Sequence, residues 1–70
     1  MPAGAVRSGV VTGFDERVGL GEVTDADGTV VPFQCIVIAD GTRRIDVGAA
    51  VEYTLLPKLG RYEAADIRIR

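Results

Sequence analysis

The chain contains no histidine, no tryptophan and a single cysteine in 70 residues. Without histidine, a general base at neutral pH would have to be a carboxylate or a lysine with a strongly shifted pKa. Cys35 lacks the imidazole that ordinarily activates a thiol. One cysteine and no histidine also exclude an ordinary zinc site and an internal disulfide. Asp25 and Asp27 form a D-x-D-G, but a calcium loop needs a bidentate glutamate at its twelfth position and flanking helices, and both are missing. The expectation is a protein that is not an enzyme and carries no cofactor or metal, with Cys35 as a small semi-buried hydrophobe.

A basic excess is missing too. Eight Lys and Arg stand against ten Asp and Glu, a formal charge of −2. Dedicated duplex-DNA binders draw affinity from phosphate neutralisation and are usually strongly basic. Local basic patches remain compatible with this balance, because net charge does not fix distribution. No apolar run approaches the roughly 20 residues of a membrane-spanning helix. The opening MPAGAVR has no signal-peptide core, and Pro2 stands where myristoylation needs a glycine. A cytoplasmic protein with no membrane partner is expected.

What is present is strand pattern. Hydrophobic residues make up 47% of the chain and charged residues 26%, enough for one small core and against disorder. A chain of this length forms one domain, residues 1–70, with its core from about residue 6 onward. VRSGVVTGF (6–14) is β-branched and punctuated by glycine, and LGEVT (20–24) follows a polar turn. DADG (25–28) carries the Asp-Gly of a hairpin turn before TVVPFQC (29–35). Pro32 cannot donate a ladder bond, so that strand belongs at an edge or at a bulge. Residues 36–48 are irregular, with Ile36, Val37 and Ile38 able to open one helical turn. AAVEYTLLP (49–57) alternates as a half-buried strand. RYEAADIRIR admits helix or strand, and its Ile-Arg-Ile-Arg ending favours strand. The fold class is all-β: five short antiparallel strands in a closed or nearly closed barrel.

With these pieces in order, the chain resembles the bacterial cold-shock domain, a five-stranded antiparallel barrel of the oligonucleotide/oligosaccharide-binding (OB-fold) type. The resemblance runs from about Ser8 to Ile69 through SGVVTGFDERVGLGEVTDADG, VVPFQC, IDVGAAVEYTL and AADIRI. It implies a face built from the first three strands, where exposed aromatics stack single-stranded bases and lysines meet phosphate. Most of those residues differ here. The family's tryptophan position falls on Gly13, its next phenylalanine is kept as Phe14, and its lysine falls on Val18. Its next two aromatics fall on Leu20 and Glu22. In the third strand Pro32, Gln34 and Cys35 take the places of Phe, His and Phe. A slip of one residue would bring Phe33 to that face instead.

The resemblance therefore implies a weak binder of single-stranded RNA or DNA. Phe14, Leu20 and Phe33 would supply its contact surface, and Arg17, Arg43, Arg44, Lys58 and Arg61 a phosphate rim. Each has a plain structural alternative. Phe14 reads equally as a partly buried cap, Tyr53 and Tyr62 as core or rim packing, and the arginines as solvated turn residues. Asp15, Glu16, Asp40 and Asp46 would offset part of such a rim. Gly19 and Gly21 read first as sites of strand twist or close backbone approach. An interaction module for a protein partner is the alternative function, with Leu20, Glu22, Pro32 and Gln34 as a mixed apolar and polar surface.

Overall fold

A computed structural model describes residues 6–38 and 44–70. The strands are β1 (Val6–Asp15), β2 (Leu20–Asp25), β3 (Val30–Gln34), β4 (Ala50–Lys58) and β5 (Arg61–Ile69). They form one antiparallel sheet in the order β3-β2-β1-β4-β5. A single 3-10 turn over Cys35–Val37 begins one residue before the Ile36–Ile38 triplet that allows a helical turn, and Ile38 is extended. The C-terminal segment is strand throughout, as its alternating isoleucines favour.

Period-2 alternation decides which residues form the core. Val11, Val23, Val31, Phe33, Val51, Tyr53, Leu55, Ala64 and Ile67 pack on the inner face, joined by Ile38 beyond the 3-10 turn. In β2 the alternation is plain, with Leu20 and Glu22 outside and Gly21 and Val23 inside. In β1 it is interrupted. A bulge between Val11 and Gly13 adds one residue against β2. That extra residue resets the parity, so Phe14 packs against the core although it lies three positions after Val11.

The sheet curls until its two end strands, β3 and β5, pack against each other. They exchange no ladder among the described residues. Among these residues only an isolated parallel bridge between Ile38 and Ile67 joins the two ends. Of the closed or nearly closed barrel expected, the described residues form an open, curled sheet: β3 stops at Gln34, and the chain turns into the 3-10 element without pairing with β5. Pro32 sits in β3, an end strand, where a missing donor is tolerated.

Close approach explains the glycine pattern of β2. Phe14, Gly21 and Phe33 lie side by side across β1, β2 and β3. The two rings stack nearly parallel, 8° apart with centroids separated by 5.9 Å. They fit because Gly21 has no side chain. A Cβ built there would stand 2.7 Å from Phe33 Cε1 and 2.8 Å from the Gly13 carbonyl oxygen. Gly19 has a different reason, a left-handed φ of 71° in the β1–β2 turn.

An ionic cluster closes the opposite end of the inner face. Arg7 of β1 extends its guanidinium to the buried carboxylate of Asp25, the last residue of β2. The backbone N–H of Asp27 donates to Asp25 Oδ1 at 3.0 Å, and the N–H of Thr29 donates to Asp27 Oδ1 at 2.9 Å. The D-x-D-G is therefore a turn device: its carboxylates hold the β2–β3 connection and the first strand together. Tyr53 lies opposite Arg7 in the β1–β4 register. Burial raises its phenol pKa, and the Asp25 charge acts in the same direction. The Asp27 carboxyl is held down to about 2, first by hydrogen bonding with Asp25, then by the hydroxyl and amide of Thr29, with Arg7 adding to it.

Two outcomes follow. Gly21→Ala forces Phe33 off its seat, an overpacking change expected to cost about 1–3 kcal/mol. It should lower the urea midpoint without altering the slope, and an unchanged midpoint would show that the ring is not confined. Asp27 has a folded pKa below its ordinary 3.8, so its stabilising contribution is present above that value and is lost as pH falls towards 2. Asp27→Asn keeps the turn acceptor and removes the charge. The difference in thermal midpoint between wild type and variant should therefore shrink between pH 4 and pH 2, and a constant difference counts against the assignment.

Candidate nucleic-acid interface

The outer face of β1, β2 and β3 is built in rows fixed by register. Asp15, Leu20 and Gln34 form one row, Gly13, Glu22 and Pro32 the next, and Val10, Thr24 and Val30 a third. Leu20 is 53% exposed. The hydroxyl of Thr12, the extra residue of the bulge, shares a hydrogen bond of 2.8 Å with the Thr24 hydroxyl of the third row. A shallow recess of about 430 Å³ opens over the first two rows, lined by Gly13, Phe14, Asp15, Leu20, Glu22 and Pro32. Its walls are apolar at Leu20, Pro32 and Phe14, and anionic at Glu22 and Asp15. A smaller recess of about 170 Å³ lies between this face and β5, where Leu20, Pro32 and Gln34 meet Arg61 and Glu63.

The sequence-derived site residues divide clearly. Leu20 stands on the outer face as expected, with Glu22, Pro32 and Gln34 beside it. Phe14 is half-buried: its ring stacks on Phe33, and the residue also lines the larger recess. It is both a cap on the core and part of the surface. Phe33 is a correction. At 1% exposure it belongs to the core, because the pairing of Gly21 with Phe33 turns its ring inward over the glycine. It offers no stacking surface on the outer face.

The basic residues are largely committed within the molecule. Arg44 Nε lies 3.2 Å from Glu16 Oε1, tying the segment before β4 to the β1–β2 turn. Arg61 Nη2 donates to Glu63 Oε2 at 2.8 Å, and the Glu63 side chain is nearly buried. Arg68 pairs with Asp66 at 3.0 Å. Arg17 is exposed in the β1–β2 turn, with its backbone N–H donating to Asp15 Oδ1 at 3.0 Å. Lys58 is exposed at the end of β4, opposite Arg61. Among the described residues the side chains of Arg17 and Lys58 enter no salt bridge. Arg43 and Asp40 lie outside the described residues. Leu20 thus borders two recesses, one shared with Phe14 and the other with Arg61, while Lys58 lies on the β4–β5 hairpin and Arg17 and Arg44 by the β1–β2 turn.

The sequence places Glu22 where the family carries an aromatic, or on a mixed surface for a protein partner, and does not show the recess around it. Its signal was Gly13, a residue without a side chain at a surface position next to the glutamate. The bulge that puts the two side by side has no mark of its own in the sequence.

No helix among the described residues is long and apolar enough to cross a membrane. No group of three or more His, Cys, Asp or Glu side chains among them could hold a metal ion. No protein-family model matches the chain. No curated protein matches it.

Proposed function

We propose that this protein is a cold-shock-like OB barrel that binds single-stranded RNA or DNA weakly, through the outer face of β1, β2 and β3. The observation that carries the reading is the recess on that face, an open apolar floor between Phe14, Leu20 and Pro32 with Glu22 at its side. The single antiparallel sheet of five strands and the packing of β3 against β5 support the reading of a small barrel-like fold. A base lying in the recess meets Leu20 and Phe14. Arg17 and Lys58, which enter no salt bridge among the described residues, serve the phosphates at the two ends.

The grip is weak for stated reasons. Each base stacked on an aromatic ring is worth about 1–3 kcal/mol, and one of the two phenylalanines is wholly inside. Glu22 and Asp15 repel phosphate, by about 1 kcal/mol per charge pair at contact distance in water. Ion pairing holds Arg44 and Arg61 to carboxylates of the same chain.

That last observation favours a second reading, a barrel that presents its mixed face to a protein. Leu20, Val30 and Pro32 give it apolar area, and Glu22 a carboxylate for a partner's Arg or Lys. Capture from lysate before and after nuclease treatment separates the two readings: partners that survive digestion belong to the second.

Titration with labelled single-stranded RNA and DNA tests the first. Binding should fall steeply with salt, since it draws on phosphate contacts. The double substitution Leu20→Phe with Glu22→Phe should tighten binding by about tenfold, by adding two stacking surfaces. No binding at low salt and high micromolar protein removes the nucleic-acid reading. Unchanged affinity of the folded double variant removes this face as its seat.

A further inference from the structure

We infer that Glu22 reads base identity, selecting guanine at the recess and rejecting uracil; this rests on the nucleic-acid reading above. A carboxylate near a polyanion is unfavourable unless it has a donor to accept from. Glu22 has none within the molecule: among the described residues its carboxylate makes no ion pair and no hydrogen bond. It is exposed in the middle row of the face, flanked by Gly13 on one strand and Pro32 on the other. Its Oε1 stands 3.6 Å from where a side chain on Gly13 would begin. The carboxylate therefore lies along the edge of open floor, with Leu20 and Pro32 as apolar neighbours.

A base resting on that floor presents its edge to two carboxylate oxygens. Guanine alone carries two adjacent donors on its Watson–Crick edge, the ring N1–H and the exocyclic N2 amine, and can pair with both oxygens at once. Cytosine and adenine offer one amino donor beside an acceptor nitrogen. Uracil offers a single N–H between two carbonyl oxygens, which face the carboxylate unfavourably. Unstacked bases in single strands are read on these edges by side chains. The other carboxylate at the recess, Asp15, already accepts the backbone N–H of Arg17 and sits in the next row. Glu22 is the group placed to discriminate.

The test compares heptanucleotides of uridine with the same strands carrying isolated guanines, in RNA and in DNA form, by fluorescence anisotropy at low salt. The guanine strands should bind about tenfold more tightly, within the range of one bidentate contact. Replacing guanine with inosine deletes the N2 amine without changing charge, and should remove most of that advantage. Glu22→Ala should abolish the preference while tightening the uridine strand, because the repulsive charge is gone. Glu22 is exposed and outside the core, so the variant retains the fold, checked by circular dichroism. Equal affinity for guanine and uridine strands, or a preference that survives Glu22→Ala, overturns the base-reading role and leaves the binding standing. Binding of no strand by either protein overturns both.

Discussion

The constraint on which this molecule turns is the seating of the Phe33 ring over Gly21, with Phe14 stacked against it. Three residues on three neighbouring strands share one inner position, and only a glycine in the middle leaves room for two rings. Burying a phenylalanine contributes on the order of 2–3 kcal/mol, a large part of what a domain of this size can gather. The same arrangement fixes the register of β3, because a shift by one residue would turn the ring out and Pro32 in. With the register fixed, Pro32 and Gln34 are outside. The stability of the core and the chemistry of the surface are therefore set by one contact.

Electrostatics follow a related economy. The chain has only eight cationic side chains, and Arg7, Arg44, Arg61 and Arg68 each meet a carboxylate of the same molecule. Arg7 and Asp25 lock the start of β1 to the end of β2, while Arg44 and Glu16 join a turn to a distant segment. The exposed pairs add little stability, but they occupy groups that would otherwise attract an anionic ligand. What remains on the β1–β3 face is nearly uncharged apart from Glu22 and Asp15. Selectivity there has to come from hydrogen-bond direction and shape more than from long-range attraction.

Much of the strand plan was legible in the sequence. Alternation in AAVEYTLLP and in the Ile-Arg-Ile-Arg tail gives β4 and β5, and Asp-Gly in DADG marks the β2–β3 turn. Pro32 pointed to an edge strand, and β3 is one. Three things were hidden for physical reasons. Which way Phe33 points depends on a pairing register, and flanking residues of mixed character leave a one-residue slip open. The bulge between Val11 and Gly13 carries no signature beyond a glycine that also fits a regular strand. The Arg7–Asp25 pair joins residues 18 positions apart that no local pattern connects. Of the candidate site, Leu20 and Glu22 could be placed on the outer face from β2 alternation alone, whereas the recess beside them arises only when the bulge sets Gly13 opposite Glu22.

The unladdered seam between β3 and β5 has a consequence for how the protein behaves in a crowd. Each of these strands ends the sheet and carries backbone groups that no neighbouring strand pairs, the usual template for chain-to-chain association. Here the two bare borders are turned towards one another, bridged once among the described residues, at Ile38 and Ile67, and one of them is interrupted by a proline. Each border thus limits the access of foreign strands to the other, a way of guarding sheet edges that does not need a full ring of hydrogen bonds.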